Sequence, residues 1–391
     1  MKKIILLLSL FTFSYLYAQV DFKGTVSSSF YSFENLTKED QLNQYHSFYF
    51  KINPENNSDL FFKGHIKAVR DGNPQQWHEK VHNAYVSWKT PIAGSKLQVG
   101  RQFLYAGVVH GTIDAVSLYL KPQDRLDIRL FAGVVAPYDR KMEITQWEDG
   151  NALGGYGSYQ INNMFKLNAS YFQKQRNDEL YWQQFGTALA GNIEKVSYLV
   201  KYDHNLLSSD YQSILAYAAY NYNNWSFSGE VSSQKPRVYE DSFFSIFKLR
   251  EHNRFRLAVS HRFTSFEIGL QAINTLFKEN ESNQQLIGTL GNNWGLLGVV
   301  YQTGYGGENV GLYANINYEL LPDLRFTLYS SHYRYERQYV QLSEEATSFS
   351  AGFRYAPPKS LGLGIQVQQS VNSYYESDFR GLLNLSYSFN Y

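Results

Sequence analysis

Apolar and polar residues alternate with a period of two along most of the chain after Val20. In the last segment, one phase of the alternation is apolar and aromatic, and the other is mainly small and polar. The apolar phase consists of Phe379, Gly381, Leu383, Leu385, Tyr387, Phe389 and Tyr391. Because successive side chains of a β-strand point to opposite faces, this pattern predicts strands with one apolar and one polar face. We therefore predict an all-β protein.

Alternation alone also fits a soluble β-sandwich, and three further features favour a membrane barrel. Glycine and serine are frequent on the polar phase, which suits a crowded aqueous interior. Aromatic residues recur near segment ends, where a membrane interface would lie: Trp88, Trp225, Tyr318, Tyr355 and Tyr391. Strand-like segments also continue to the last residue without a linker. We predict a transmembrane antiparallel up-and-down β-barrel, and a secreted two-domain sandwich is the alternative.

The connections between segments alternate between short and long, as expected for short periplasmic turns and longer extracellular loops. The longer ones are 71–78, 105–111, 135–150, 235–250, 276–282, 338–345 and 373–377. This division gives as many as 22 strands, although 43–52 and 283–291 are weakly patterned. We therefore expect an even strand number between 16 and 22. The loops 135–150 and 235–250 are candidates to constrict the pore, the latter because of its aromatic run at 239–249.

Residues 1–19 have the features of a secretory signal peptide: Lys2 and Lys3, then a mostly apolar stretch, and Ala18 at the predicted cleavage site. An N-terminal membrane anchor is the alternative, but the stretch is shorter than the roughly 20 residues of a spanning helix. We expect residues 20–391 to form a single barrel domain in the cell outer membrane.

Composition narrows the function classes. The chain has no cysteine, which excludes disulfides, thiolate nucleophiles and cysteine-ligated zinc. Lys and Arg (36) nearly balance Asp and Glu (35), so no basic excess indicates a nucleic-acid partner. No catalytic motif is present, and His110 with Asp114, or Asp203 with His204, would supply only part of a catalytic triad. We expect no enzyme activity, no cofactor and no metal site.

Basic residues outnumber acidic residues on the polar phase of the strands, although the whole chain is almost neutral. Rings of basic side chains inside a pore favour anions, so we predict a basic lumen. The candidate pore-lining residues are Lys63, Lys67, Arg129, Lys166, Lys201, Arg254, Arg256, Arg262, Arg325 and Arg354. The alternative is that many of them lie at strand ends, beside headgroups or turns.

Arg101 does not fit the alternation. Leu97, Val99 and Phe103 define an apolar phase that would place Arg101 on the lipid face. A guanidinium at the bilayer midplane of a barrel costs about 2–4 kcal/mol. A β-bulge at Gly100 would turn Arg101 inward, and a position in the headgroup layer would also lower the cost. Both interpretations stay open.

The stretch 83–120, with its Leu97-x-Val99-Gly100-Arg101-Gln102 segment, resembles a hairpin of Gram-negative porin-like families, the phosphate-selective and alginate-export-type channels. The closing strand, which ends in an aromatic residue, resembles the signal read by the barrel-assembly machinery. The resemblance assigns that role to Tyr387, Phe389 and Tyr391. It implies a barrel in contact with outer-membrane lipid, through which solutes pass.

The leading hypothesis is an outer-membrane channel for passive diffusion of small polar or anionic solutes. The alternatives are a non-conducting barrel, serving as an adhesin or as an anchoring subunit of a secretion or motility complex, and a barrel hydrolase. Large inward side chains would fill the interior if the strand number were low: Tyr156, Phe172, Trp182 and Tyr217. The solute stays open, as does assembly into a homo-oligomer.

Overall fold

The computed structural model describes residues 20–35, 37–54, 59–71, 76–92, 94–236, 250–337, 340–357, 361–373 and 377–391. The predicted signal peptide, 1–19, and the aromatic run at 239–249 lie outside these residues and stay predictions. No helix long and apolar enough to cross a membrane occurs in the described part of the chain.

The chain forms 22 β-strands in one sheet. They are β1 (Val20–Glu34), β2 (Asp40–Pro54), β3 (Leu60–Asp71), β4 (Gln76–Lys89), β5 (Ser95–Ala106), β6 (Val109–Gln123), β7 (Leu126–Val135), β8 (Asn151–Gln160), β9 (Lys166–Arg176), β10 (Glu179–Ile193), β11 (Val196–Asn205), β12 (Asp210–Tyr222), β13 (Trp225–Gln234), β14 (His252–Arg262), β15 (Glu267–Phe277), β16 (Ser282–Asn292), β17 (Gly295–Gly304), β18 (Asn309–Leu321), β19 (Leu324–Arg337), β20 (Val340–Tyr355), β21 (Leu361–Val371) and β22 (Asp378–Asn390).

Each strand pairs antiparallel with the next in the chain, and β22 pairs with β1, so the sheet closes on itself. This confirms the predicted up-and-down barrel, at the upper end of the expected strand number. The two weakly patterned segments are strands, since they lie within β2 and β16.

The wall of the barrel has two chemically different faces. Direct partners in neighbouring strands share a face, so the ladder registers carry each face around the whole barrel. One face bears exposed large apolar side chains, for example Val26, Leu130, Val200, Leu257, Ile268, Val299, Leu312 and Ile365. The other bears mainly polar side chains, for example Ser27, Ser47, Ser117, Ser158, Ser228, Asn317, Gln366 and Ser386.

An exposed apolar belt around a closed barrel is the arrangement that spans a bacterial outer membrane, because every backbone group in lipid is then paired. The apolar face is the outer one, in contact with lipid, and the polar face lines the lumen. The protein is accordingly an outer-membrane barrel.

The connections differ between the two ends of the barrel. At the end where β1 begins, described turns are short, as at 124–125 and 194–195. At the other end, the described connection 136–150 is long, and most of the chain between β13 and β14 lies outside the described residues. Two connections predicted to be long are not: β20 begins at Val340, and only Gly107 and Val108 separate β5 from β6. Backbone pairing extends further there than the alternation of side chains indicated.

The seam between β1 and β22 is closed by aromatic packing on the lipid face. The Phe389 ring packs edge-on against Phe22, with ring centroids 5.1 Å apart. Gly24 is the direct partner of Phe389, and a Cβ added at Gly24 would lie 2.5 Å from that ring. Beyond the last strand residue, Tyr391 exchanges two backbone hydrogen bonds with Phe22, of 2.8 and 3.0 Å. Tyr387 shares this outer face, and recognition of the three aromatic residues by the assembly machinery stays a prediction.

We expect Gly24→Val to destabilise the barrel, because overpacking of this kind typically costs about 1–3 kcal/mol. Gly381→Val is the matched control. Gly381 lies on the same face of β22 as Phe389, and a Cβ added there meets nothing within 4 Å. The measurement is the urea midpoint for loss of the heat-modifiable gel band. Equal midpoints for the two variants would contradict the packing assigned to the seam.

Candidate functional site in the barrel lumen

The tip of the β5–β6 hairpin leaves the barrel wall. The β4–β5 ladder ends at the Ala84–Arg101 pair, although both strands continue beyond it. The β6–β7 ladder likewise ends at the Ile113–Val135 pair. The ladder partners of residues 102–112 therefore lie within the β5–β6 hairpin itself.

This tip folds over the inner face of the neighbouring strands. The Val108 backbone N–H donates a 3.0 Å hydrogen bond to Ser170 Oγ on β9. Ser170 lies on the same face of β9 as Asn168, the hydrogen-bond partner of Tyr156 on the polar face of β8. The tip is therefore inside the lumen.

Apolar contacts hold the tip against the wall. A buried cluster joins hairpin residues to inward-facing residues of β7, β8 and β9. Its members are Leu104, Val108, Val109, Ile113, Ala115, Phe131, Ala152 and Phe172. Val108 is 4 % exposed, whereas Tyr105, on the opposite face of the hairpin, is 80 % exposed. Burial of apolar area stabilises the folded-in position at roughly 25 cal/mol per Å² removed from water.

Small residues in the wall make room for the tip. A Cβ added at Gly186 on β10 would lie 2.6 Å from Val108 Cγ1 at the tip. Gly107, at the turn, has a φ of 59° and lies against Ser170. The hairpin and the wall can approach this closely only because these side chains are absent.

Arg101 anchors the base of the tip. It is 5 % exposed and forms a bidentate ion pair with Asp114, its direct ladder partner, with both N–O distances 2.8 Å. The guanidinium also donates to the backbone carbonyls of Lys141 and Glu143, each at 2.6 Å. Charge-assisted bidentate bonds of this kind are the strong ones in proteins.

The predicted β-bulge at Gly100 is not present. Both ladders run through Gly100 without a register shift. Gly100 instead has a φ of 123°, which glycine adopts readily. Arg101 stays on the apolar phase but avoids lipid, because Asp114 and the β7–β8 connection cover it.

The β7–β8 connection, 136–150, lies against the edge of β4 where β5 no longer pairs with it. The Val81 N–H of β4 donates to the Arg140 carbonyl at 2.7 Å, where a β5 residue would otherwise be its partner. Asp139 shapes this turn by accepting from the Lys141 N–H at 3.2 Å and pairing with Lys141 Nζ at 2.6 Å. The hydrogen bond from Lys141 lowers the pKa of the Asp139 carboxyl below its ordinary value.

A buried polar network fixes the inner side of the hairpin base. Gln102 donates to the Ala115 carbonyl at 2.9 Å and accepts from Ser117 Oγ at 2.9 Å. Arg129 also donates to the Gln102 side-chain oxygen, at 3.1 Å, and stacks on the Tyr119 ring. The Arg129 side chain is thus on the inner face, but it is bound to residues of the hairpin and does not extend freely into the lumen.

Several other candidate pore-lining residues are paired with acids. Arg254 and Arg256 share Glu230, at 2.6 and 3.9 Å. Lys201 pairs with Asp203 at 2.6 Å. These basic side chains belong to the polar face, but a neighbouring carboxylate offsets much of their charge.

The remaining candidates divide between the mouth and the inner wall. Arg262 is paired with Glu267 at the end of its strand and its side chain is 76 % exposed. Also at strand ends, on the side where β1 begins, are Lys166, Arg325 and Arg354. Lys63 and Lys67 lie inside β3 on the polar face, without an ion-pair partner among the described residues.

The two His–Asp pairs noted in the sequence do not form dyads. Asp114 is bound to Arg101, while the His110 ring packs against Phe172 and Trp182. His204 contacts the Tyr202 hydroxyl at 3.1 Å, and Asp203 turns to Lys201. Within the described ranges, no three His, Asp or Glu side chains come together as metal ligands.

The alternation did not reveal the lumenal hairpin, but one local signal was present. Val108 and Val109 form an apolar pair between Gly107 and Gly111, both of which have positive φ. A polar loop in water would not carry a buried apolar pair, so this pair required a surface to pack on. That surface, around Phe172, is distant in the chain and was not identifiable.

The fold and the site together define a transmembrane β-barrel with a hairpin folded into its lumen. Among solved structures, the chain is similar to the P pilus usher PapC translocation pore, at 10 % identity and a TM-score of 0.49, covering 94 % of this chain and 99 % of that one. It is also similar to OccAB3 of Acinetobacter baumannii, at 10 % identity and a TM-score of 0.47, covering 95 % and 100 %.

A third similar structure is OpdK of Pseudomonas aeruginosa with vanillate, at 10 % identity and a TM-score of 0.45, covering 95 % of this chain and 99 % of that one. No family model matches the chain, and no curated protein matches it. At these values the likeness transfers no residue role to this protein.

We expect Arg101→Ala to release the hairpin tip while the barrel stays assembled. Removing one partner of a buried ion pair costs about 3–5 kcal/mol, because the other charge is left unpaired. The chain has no native cysteine, so a single introduced cysteine reports on access. Maleimide labelling of Val108→Cys should be slow in the parent and roughly tenfold faster or more with Arg101→Ala.

Tyr105→Cys is the control, since this position is exposed on the lumenal side of the hairpin and should be labelled rapidly in both backgrounds. Labelling of Val108→Cys as fast as Tyr105→Cys in the parent protein would show that the tip is not packed against the wall.

Proposed function

We propose that the protein is an outer-membrane channel for passive diffusion of small polar or anionic solutes, with a lumen narrowed by the β5–β6 hairpin. The observation that carries this proposal is the closed 22-stranded barrel with a polar inner face. Barrels of eight strands are filled by their own side chains, whereas much larger barrels enclose a space that side chains cannot fill.

The inward side chains that would fill a small barrel do not fill this one. Phe172 is buried under the hairpin, and Tyr156 is bonded to Asn168 in the wall. Among the described residues, the contacts of the hairpin tip with the inner wall lie on β7 to β10. The inner faces of β12 to β22 lie outside these contacts, which supports a continuous polar passage along that side.

The unpaired basic side chains of the inner wall support a preference for anions. Lys63 and Lys67 are inside a strand and have no described acidic neighbour in ion-pair contact, so their field acts on the lumen. Screening at physiological salt acts over about 8 Å, and basic residues at the wide, wet mouth therefore matter less. Selectivity then depends on the inner wall more than on the total number of basic residues.

The test of the channel is the conductance of the purified protein in a planar bilayer under a salt gradient. We expect stepwise conductance and a reversal potential on the anion-selective side. Absence of current from a protein that shows heat-modifiable folding would overturn the proposal and leave a non-conducting adhesin or anchoring subunit. A current that prefers cations would overturn the anionic part alone.

We expect Lys63→Gln/Lys67→Gln to shift the reversal potential toward cation preference, most strongly at low salt. Lys166→Gln/Arg262→Gln is the matched control, because it removes two positive charges from exposed strand ends. The shift in the control should be much smaller, because solvent and salt screen those positions. Equal shifts in the two double variants would mean that the mouth governs selectivity.

A further inference from the structure

His82 is the extra residue of a β-bulge in β4. On the β3–β4 ladder, His65 pairs with Asn83 and Ile66 pairs with Val81, so the ladder passes over His82. A bulge of this kind re-aims a side chain. The His82 ring stacks on the His65 ring, with the planes within 21° of parallel and the centroids 4.7 Å apart. Because His65 lies on the polar phase of β3, the bulge turns His82 toward the inner face.

The hydrogen-bonding surroundings of His82 fit a neutral ring. Arg140 Nη1 contacts His82 Nδ1, and because a guanidinium only donates, Nδ1 is the acceptor and the ring proton lies on Nε2. Nε2 is buried and has no hydrogen-bond partner within the described part of the chain. A protonated imidazole donates from both nitrogens. Neither nitrogen has an acceptor here among the described residues, so the arrangement cannot satisfy a protonated ring.

The side chains around His82 offer no negative charge. Those that act on it electrostatically are Arg140, Lys67, His65 and Lys80. On β2, the next strand, Ser47 Oγ lies 3.0 Å from His65 Nε2, and the Tyr49 ring packs edge-on against His65. Among the described residues, no carboxylate forms an ion pair with His65 or His82. A proton added to His82 would therefore place a positive charge among positive charges, without a counter-charge to hold it.

Arg140 connects this ring to the segment that closes the wall beside the hairpin. Its N–H donates to the Pro137 carbonyl at 2.9 Å, and its carbonyl accepts from the Val81 N–H at 2.7 Å. Its φ of 59° is uncommon for a residue other than glycine, so the turn depends on contacts that hold it in place. One residue thus attaches the turn to β4 twice, through its carbonyl to Val81 and through its side chain to His82.

We propose that His82 is an acid-sensitive latch that holds the β7–β8 connection against β4. At neutral pH the ring accepts from Arg140. Histidine is the side chain whose charge ordinarily changes between about pH 5 and pH 8. Uptake of a proton from the medium at Nδ1 turns the acceptor into a donor and opposes two cations. The Arg140 side chain then leaves, and the turn loses one of its two attachments to β4. Acid thereby loosens the wall beside the lumenal hairpin.

The test is the reactivity of a cysteine at Val81, whose side chain is 4 % exposed. Val81→Cys keeps the hydrogen bond to Arg140, because the donor is the backbone N–H. The probe is dithiodipyridine, which reacts with thiols in acid as well as at neutral pH. Each rate is divided by the rate of Tyr105→Cys at the same pH. We expect the normalised rate to rise roughly tenfold or more from about pH 8 to about pH 4.

His82→Gln, added to Val81→Cys, removes the titration and keeps an acceptor for Arg140, since a glutamine side chain has an amide oxygen. Its rate should stay low throughout the range. His332→Gln is the matched control, because His332 also contacts a hydroxyl, that of Thr347, on a different part of the barrel, and it should keep the acid response. A normalised rate that does not rise in acid, or a rise that persists with His82→Gln, would overturn the inference.

Two further variants open the latch without acid. His82→Lys places a fixed positive charge opposite Arg140, and Arg140→Ala removes the donor. Each should give a high rate at about pH 8, with little further rise in acid. Arg140→Ala leaves the strands unchanged and serves as the test if His82→Lys does not give the heat-modifiable band. A low rate at about pH 8 in assembled Arg140→Ala would also overturn the inference.

The acidic residue of the same turn does not account for the expected response. The hydrogen bond from Lys141 lowers the pKa of the Asp139 carboxyl below its ordinary value, so Asp139 stays ionised over this range. The inference also does not rest on the proposed channel function, because labelling requires no current. A barrel that conducts without an acid response at Val81→Cys refutes the latch and leaves the channel. An acid response in a barrel that does not conduct leaves the latch and refutes the channel.

Discussion

Pairing of every backbone N–H and C=O group in the wall is the constraint on which this structure depends, since lipid offers no substitute for a missing partner. The ladders from β1 round to β22 satisfy it by closure. At one place the wall opens, because the β5–β6 tip turns into the lumen and leaves the edge of β4 without its neighbour. The Arg140 carbonyl accepts from Val81 there, and Arg101 binds adjacent carbonyls of the same connection. The hairpin and the connection therefore form one arrangement.

Much of the barrel was predictable because the face of a strand residue is a local property. Even the weakly patterned segments 43–52 and 283–291 kept enough alternation to be counted within an even number of strands. The inward hairpin was not predictable, since its position depends on contacts between Val108 and wall residues more than sixty positions away. Arg101, which did not fit the alternation, lies where the β5–β6 hairpin leaves the wall. Its partners in the β7–β8 connection could not be predicted from the alternation, because they are distant in the chain.

The lumenal charges show a similar contrast. The alternation of side chains predicts which face a residue is on, whereas the pairing register determines which residues are its neighbours. The alternation placed Arg254 and Arg256 on the inner face, in agreement with the ladders. It placed Lys63 and Lys67 on the inner face as well. Register then separates the two pairs: Glu230 lies beside the arginines, whereas Lys67 faces another lysine. The field inside the barrel is set by these neighbours rather than by the number of basic residues.

The aromatic seam has a consequence for the width of the barrel. A slip of one residue between β1 and β22 would exchange the two faces of a strand and is strongly opposed, but a slip of two residues would keep every side chain on its proper face. Such a slip changes the shear of the barrel, and shear together with strand number determines strand tilt and diameter. The Phe389 ring over Gly24 distinguishes the two registers, because a residue with a side chain would not admit the ring. A single glycine thus helps to set the bore of the whole molecule.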